Sequence, residues 1–234
     1  MTKRLRTALA YFTLFEKILY ISSVVFITVA FLLFDRGSYL SLAASLIGAT
    51  ALIFCAKGNP IGQLLMVFFG ILYAIISYSF AYYGELITYA GMSVPMAAFS
   101  FLVWVLHPHR GNHAEVQIGK LRRRDAWLVP LLAVGATVVF FFVLRTFGTA
   151  NLLPSTLSVT TSVIAVYFSA RRVPWFALAY AINDVVLILL WSLATIKDVS
   201  YLSVVICFLM FLANDSYSFM NWQRMRRRQK KADK

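Results

Sequence analysis

Two Asn-Asp pairs, Asn183–Asp184 and Asn214–Asp215, lie inside long apolar stretches near the end of the chain. A charged side chain at the centre of a bilayer costs about 2.5–3.5 kcal/mol on insertion scales, so intramembrane carboxylates usually have a partner or a function. Both side-chain types can hydrogen-bond sugar hydroxyls or a carboxamide. The pairs therefore favour a polar binding cavity within a membrane protein. The alternative is that they only join helices through hydrogen bonds, and Asp215 could equally bind a basic residue near the helix end.

Aromatic side chains accompany both pairs at helical spacing. At 100° per residue, Tyr180 and Trp191 fall on the same stripe as Asp184, and Tyr217 shares a face with Asn214. Flat rings can stack on a ligand ring, and a cationic heteroaromatic ring gains further cation–π attraction. We therefore predict a substrate-binding set that also includes one tyrosine from the first half of the chain: Tyr73, Tyr180, Asn183, Asp184, Trp191, Asn214, Asp215 and Tyr217.

The two pairs lie at similar depths if the last two helices are antiparallel neighbours. Asp184 is about nine residues, or ~14 Å, from the start of its predicted helix. Asp215 is about seven residues, or ~11 Å, from the end of the next helix. Both carboxylates are then expected to line one cavity.

The elements that position these residues are long apolar segments. Hydrophobic residues make up 61% of the 234 positions and charged residues 13%, whereas soluble domains contain about 45–50% and about 25%. Lipid forces each crossing to be helical, and about 20 residues are enough to cross. We predict an all-α integral membrane protein with eight transmembrane helices, at roughly 18–34, 39–57, 62–83, 86–107, 127–148, 154–170, 175–196 and 199–222.

Basic residues are concentrated on one side of this predicted bundle. That side receives 19 of the 22 Lys and Arg residues, in 1–17, 57–61, 108–126, Arg171–Arg172 and the tail from Arg224. Cytoplasmic segments of membrane proteins are enriched in Lys and Arg. We therefore predict that both termini are cytoplasmic, and the net charge of +13 needs no nucleic-acid partner to explain it.

The second half of the chain echoes the first. Ala56–Pro60 (A-K-G-N-P) resembles Ala170–Pro174 (A-R-R-V-P), and the third span of each half ends near Trp104 or Trp222. Four crossings separate equivalent helices, so the repeats would be parallel, as in transporters that bind substrate between repeats. Chance similarity between apolar helices is the alternative. The plan comprises a basic lead-in (1–17), a leading helix (18–34), a first three-helix repeat (39–107), a basic loop (108–126), a linker helix (127–148), a second three-helix repeat (154–222) and a basic tail (223–234).

The second repeat resembles the PnuC family of bacterial vitamin transporters. The likeness is carried by S-A-R-R-V-P-W (Ser169–Trp175), A-I-N-D-V-V-L-I-L-L-W (Ala181–Trp191), K-D-V-S-Y (Lys197–Tyr201) and N-D-S-Y-S-F-M-N-W (Asn214–Trp222). It is loose in the first repeat, where Gly70 aligns with the Asn-Asp pair. The resemblance implies a SWEET-like 3+1+3 bundle, a homotrimer and a bacterial cell-membrane location. It also implies uptake of nicotinamide riboside, a vitamin B3 precursor, by facilitated diffusion, with a cytosolic kinase trapping the product.

Other functions stay open at the level of sequence. Relatives of this family that carry thiamine or riboflavin share the fold, so another ring-containing vitamin or a nucleoside is one alternative. Asp184 or Asp215 could couple transport to protons. An integral membrane enzyme and a scaffold are the alternatives of other classes, but the chain has no D-x-x-D or H-E-x-x-H motif and no Gly-rich phosphate loop. We therefore expect a transporter, not an enzyme, with no cofactor and no metal.

Overall fold

The computed structural model of the chain describes residues 10–79, 86–149 and 151–232. Within these ranges, eight helices are long and apolar enough to cross a membrane, which confirms the predicted all-α membrane fold. Parts of the predicted lead-in (1–9), first repeat (80–85) and tail (233–234) lie outside the described residues. The helices are α1 (Leu14–Phe34), α2 (Tyr39–Ala56), α3 (Pro60–Ser79), α4 (Val94–Val105, after a π-helical stretch Ile87–Ser93), α5 (Asp125–Thr146), α6 (Leu152–Ala170), α7 (Trp175–Thr195) and α8 (Leu202–Ala232, after a 3₁₀ turn Val199–Tyr201).

Helix α1 begins at Leu14, inside the predicted lead-in, because Thr13 and Glu16 form a capping box. The backbone N–H of Thr13 donates to the Glu16 carboxylate at 2.7 Å, and the backbone N–H of Glu16 donates to the Thr13 hydroxyl at 3.3 Å. Two of the donors that a helix start leaves unpaired are thereby satisfied. The leading helix is therefore longer than hydropathy predicts.

The helices pack as two three-helix units with α1 and α5 added. Helices α2, α3 and α4 pack in sequence order, and so do α6, α7 and α8. Between these two units, α2 contacts α8 and α4 contacts α6. The first helix of each unit therefore lies against the last helix of the other, while α1 packs on α2 and α8 and α5 packs on α6.

Two tryptophans, one in each unit, donate hydrogen bonds to backbone carbonyls of the other unit. The indole N–H of Trp104, at the end of α4, donates to the carbonyl of Ser169 at 2.9 Å. The indole N–H of Trp222 in α8 donates to the carbonyl of Cys55 at 2.8 Å. Ser169 and Cys55 each precede the repeated alanine of the A-K-G-N-P and A-R-R-V-P motifs. The same contact is therefore made twice, at equivalent positions of the two units.

A short β-hairpin occupies part of the segment 108–126, which was predicted as a loop. Strand β1 (Pro108–His109) pairs antiparallel with β2 (Asn112–Val116). The turn residues Arg110 and Gly111 have φ of 49° and 78°, the backbone that two-residue hairpin turns favour. The Val116 side chain is fully buried, so this part of the loop belongs to the folded bundle.

The segment 108–119, which we call the strap, bridges the two units. The backbone N–H of Val116 donates to the carbonyl of Gly58, and that of Gly119 donates to the carbonyl of Arg172, both at 2.9 Å. Gly58 and Arg172 occupy the same position of the repeated motif, and both have left-handed backbone, with φ of 66° and 56°. The end of the bundle that carries the strap and both turns is called the basic end below.

Helix α8 continues to Ala232, so most of the segment predicted as a separate tail from residue 223 is helix. Within this extension, the carboxamide nitrogen of Gln229 donates to the carbonyl of Val116 at 3.0 Å and to the carboxylate of Glu115 at 2.8 Å. The carboxamide oxygen accepts from the backbone N–H of Ile118 at 2.8 Å. The helix end is thereby fastened to the strap.

Candidate substrate cavity

A cavity of about 170 Å³ lies between the two three-helix units. Its walls come from α2 to α8, with α7 contributing the largest polar share. Five of the eight predicted binding residues line it: Tyr180, Asn183, Asp184, Trp191 and Asp215.

A pair of carboxyl groups forms one wall of this cavity. Asp184 and Asp215 are 4% and 3% exposed, and both line the cavity. Among the described residues, the Oδ2 atom of Asp184 is buried without a hydrogen-bond partner. A buried acceptor of this kind costs free energy unless it is satisfied, so the wall offers an acceptor to a ligand.

Asn183 is oriented by a contact with α6. Its Oδ1 atom accepts a hydrogen bond from the hydroxyl of Thr161 at 2.8 Å. With the amide oxygen occupied, the NH₂ group faces away from Thr161 and carries two donors. The wall from α7 therefore presents donors at Asn183 beside the acceptor of Asp184.

Aromatic rings form much of the remaining lining. Phe69 of α3 and Phe211 of α8 have ring centroids 6.0 Å apart, and Phe69 also contacts Tyr89 at 6.5 Å. The sequence reasoning missed Phe69 and Phe211, because a phenylalanine in an apolar span gives no signal of which way it faces. Gly70 lines the cavity without a side chain, and a Cβ atom there would lie 2.8 Å from Val94.

Asn214 and Tyr217 lie elsewhere, so their predicted place in the cavity is corrected. The Asn214 carboxamide donates to the hydroxyl of Ser23 at 2.9 Å, and the Tyr217 hydroxyl donates to the carboxylate of Glu16 at 2.8 Å. Both partners belong to α1, which packs on this face of α8. The polar face of α8 that contains Asn214 and Tyr217 therefore holds the leading helix, and only the adjacent face with Asp215 reaches the cavity.

Tyr73 lines a second cavity, of about 270 Å³, which lies towards the end opposite the basic end. Its ring lies 4.7 Å from that of Phe69 and 5.1 Å from that of Tyr89. Trp191 lines both cavities, and its ring lies 5.3 Å from that of Tyr201. Trp191 therefore forms part of the partition between the two spaces.

The second cavity is acidic at its rim. Asp35 and Asp198 both line it. Hydrogen bonds from the backbone and then the side chain of Ser200 hold the pKa of Asp198 below its usual value, so this carboxylate stays charged near neutrality.

At the basic end, the first cavity is closed by three rings, which we call the aromatic plug: Trp104, Phe176 and Trp222. They are 0%, 1% and 0% exposed. Phe176 lies 5.8 Å from Trp104 and 4.7 Å from Trp222, and the two indoles are 5.2 Å apart. Next to these rings, the side chain of Gln63, which lines the cavity, donates to the hydroxyl of Ser169 at 3.2 Å. Buried, closely packed rings therefore lie between this part of the cavity and the basic end.

No group of three or more His, Cys, Asp or Glu side chains that could hold a metal ion occurs in the part of the chain that the structure describes. The chemistry of the cavity is instead hydrogen bonding, stacking and charge. Two carboxyl groups, an amide and several rings suit a flat ligand that carries donors and a positive charge.

Comparison with known proteins agrees with this architecture. A family profile described as Nicotinamide mononucleotide transporter matches residues 38–224. The Nicotinamide riboside transporter PnuC of Neisseria mucosa is 28% identical over 200 residues, which cover 83% of this chain and 76% of that protein. The crystal structure of the vitamin B3 transporter PnuC matches with a TM-score of 0.79 at 26% identity, over 93% of this chain and 94% of that chain. Since the family profile spans both three-helix units and the carboxyl pair between them, the chain belongs to the nicotinamide mononucleotide transporter family.

Proposed function

We propose that this protein carries nicotinamide riboside across a bacterial cell membrane. The names of the matching relatives support transport of a nicotinamide compound, but they differ in whether that compound carries a phosphate. The mononucleotide is a phosphate monoester of the riboside, so the two candidates differ mainly in charge. The charge of the cavity therefore decides between them.

The observation that carries the proposal is the set of charged residues in the cavity wall. Asp184 and Asp215 line it, and its described lining contains no Lys, Arg or His. A phosphate would meet like charge in a space of low dielectric, where unscreened repulsion is strong. The riboside has a pyridinium cation, which a carboxylate attracts, and it carries no phosphate. The cavity accordingly favours the riboside over the mononucleotide.

Each polar wall group has a matching part in this ligand. The unpartnered Oδ2 of Asp184 accepts from a ribose hydroxyl or the carboxamide, and the Asn183 amide donates to an oxygen of the same groups. Trp191 and Tyr180 offer faces for stacking against the pyridinium ring. Trp191 also stands between the two cavities, where its rotation would open the path from the acidic rim.

A thermal-shift panel tests the assignment, because a ligand that binds only the native state raises the melting temperature. The purified protein is compared with nicotinamide riboside, thiamine, riboflavin and plain nucleosides. We expect a shift with the riboside and a smaller one or none with the others. A larger shift with thiamine or riboflavin would reassign the substrate, and chemical conversion of the bound riboside would instead support a membrane enzyme.

We further propose facilitated diffusion, with a cytosolic kinase that traps the imported riboside. Uptake into proteoliposomes is then expected to stop when the two sides reach equal concentration. Proton coupling is the second candidate, favoured by the two carboxyl groups, Asp184 and Asp215, that line one cavity within the membrane spans. Accumulation driven by a pH gradient would establish that candidate.

The orientation, assembly and division of the chain are part of the same proposal. The strap, both basic turns and the end of α8 would face the cytoplasm, because basic segments are retained there. The two three-helix units would be parallel repeats, with α1 as an added helix and α5 as the linker, in a homotrimer. A periplasmic location of a reporter fused after Lys234 would overturn the orientation, and a monomeric mass in detergent would count against the trimer.

A further inference from the structure

The basic residues of the A-K-G-N-P and A-R-R-V-P turns differ in how many partners they have within the protein. In the first unit, Lys57 donates to both carboxylate oxygens of Glu16 at 3.2 Å. Its ammonium group also lies 4.6 Å from the ring centroid of Tyr11. The cation of this turn therefore has a full set of partners within the protein.

The second unit has two arginines at this turn and one nearby carboxylate. Arg171 donates to Asp125 at 2.9 Å and to the carbonyl of Lys120 at 3.3 Å. Asp125 also accepts from the hydroxyl of Tyr167 at 2.6 Å and from the backbone N–H of Arg122. Both oxygens of this carboxylate thereby accept hydrogen bonds, and none of those bonds comes from Arg172.

Arg172 is the arginine of this turn that does not share the Asp125 carboxylate. Its Nε and Nη1 atoms, and the Nε of Arg171, are buried without a hydrogen-bond partner among the described residues. Burial and then the neighbouring Arg171 guanidinium lower the pKa of Arg172, although arginine remains protonated near neutrality. Buried donors of a charged group are costly when unsatisfied. Arg172 as a whole is only partly buried, so its guanidinium group can still meet an acceptor from outside the chain.

The surroundings of this turn are strongly basic. Lys120, Arg122, Arg123 and Arg124 are exposed on the segment that leads into α5. Asp125 is the single acidic residue between positions 116 and 183 of the sequence. Six basic residues thus accompany one acid at this corner, an excess that suits a multiply charged anion.

We propose that Arg171 and Arg172 form a binding site for a phosphate group at the basic end of α6. A guanidinium donates two parallel hydrogen bonds to phosphate oxygens. Because Asp125 already pairs with Arg171, the charge that balances a doubly charged anion comes from Arg172 and the exposed basic residues before α5. Such a phosphate belongs either to the head group of an anionic lipid or to a soluble cytosolic compound. The site is separate from the substrate cavity and does not depend on which compound is transported.

The proposed site lies next to the contact between the strap and the second unit. The carbonyl of Arg172 accepts the hydrogen bond of Gly119 in the strap, so an anion that orders the arginine side chain also steadies this connection between strap and second unit. Trp127, near the start of α5, is 84% exposed, and tryptophan is enriched at the level of lipid head groups. The site therefore lies at the depth where a head-group phosphate is available.

The test uses the full chain and three proteins: wild type, Arg172→Gln and Arg226→Gln. Arg226 is exposed near the end of α8, so its substitution removes the same charge from the same end and serves as the matched control. Melting temperatures are measured in phosphate-free detergent with pyrophosphate or with sodium chloride of equal ionic strength. They are also measured in nanodiscs of phosphatidylcholine alone or mixed with phosphatidylglycerol.

We expect pyrophosphate, phosphatidylglycerol or both to stabilise wild type and Arg226→Gln, and to bind Arg172→Gln about tenfold more weakly or worse, as expected for a lost charge-assisted hydrogen bond. A response to pyrophosphate alone identifies a soluble anion, and a response to phosphatidylglycerol alone identifies a lipid. Without either anion, Arg172→Gln should melt at or above the wild-type temperature, because an unpaired buried charge has been removed.

Three results would overturn the proposal: no response of wild type to either anion, an unchanged response in Arg172→Gln, or a large loss of stability of this variant in phosphate-free detergent, which would reveal a partner within the chain. Arg172→Lys provides a second variant, which keeps the charge but lacks the planar fork. It should retain only a weakened response, and a full response would also count against the site.

Discussion

The two three-helix units are alike at the basic end and differ at the centre of the bundle. At the basic end, Trp104 and Trp222 each donate to a carbonyl of the other unit, at Ser169 and Cys55. At the centre, the second unit supplies the cavity with both carboxyl groups, whereas the first supplies Gly70 where the Asn-Asp pair aligns. The aromatic packing at the basic end therefore comes from both units together, whereas both carboxyl groups of the cavity come from the second unit.

The largest expected effect tests this shared aromatic packing. Trp104→Ala and Trp222→Ala each remove a fully buried ring and its hydrogen bond to a carbonyl of the other unit, so each should cost about 3–5 kcal/mol of stability. Thermal unfolding in detergent, with expression level as a second readout, measures both variants. A much smaller loss for one of them would mean that the two contacts are not equivalent.

The next largest effect, on ligand affinity, tests the difference between the two units at the centre of the bundle. Asp184→Asn keeps the size of the side chain but removes the carboxylate that we propose faces the pyridinium cation, so the affinity for nicotinamide riboside should fall by about 2–3 kcal/mol, roughly 30- to 150-fold. The matched control is Asp198→Asn, which removes one carboxylate from the rim of the other cavity and should change affinity little. Wild-type affinity in Asp184→Asn would exclude this residue from the site.

A smaller effect separates the two polar faces of α8. Tyr217→Phe removes the hydroxyl that donates to the buried carboxylate of Glu16, so stability should fall by about 1.5–3 kcal/mol, as for a hydrogen bond to a charged group. Ligand affinity of the folded protein should be unchanged, because Tyr217 is absent from the described cavity lining. Weaker binding with unchanged stability would restore Tyr217 to the site.

The sequence predicts the helices well because lipid imposes a length and an apolar composition on every crossing. It predicts Asp184, Asn183, Tyr180 and Trp191 as one stripe because helical geometry places them together. For α8 it leaves two polar faces, and only the packing of α1 decides that Asn214 and Tyr217 hold a helix while Asp215 reaches the cavity.

The strap was beyond prediction for a different reason. Its strands have two and five residues, too short for a clear periodic signal, and polar residues dominate the segment. Its stability comes from partners far away in sequence, such as Gly58 and Gln229. Contacts of this kind leave no local pattern that a single sequence reveals.

Calorimetric titration of the purified protein with nicotinamide riboside and with nicotinamide mononucleotide tests the central claim most directly. The two ligands share the pyridinium ring, the carboxamide and the ribose, and differ in the phosphate. A cavity with Asp184 and Asp215 and no basic residue in its described lining predicts that the riboside binds and that the mononucleotide binds at least about tenfold more weakly. Equal or tighter binding of the mononucleotide would contradict the account.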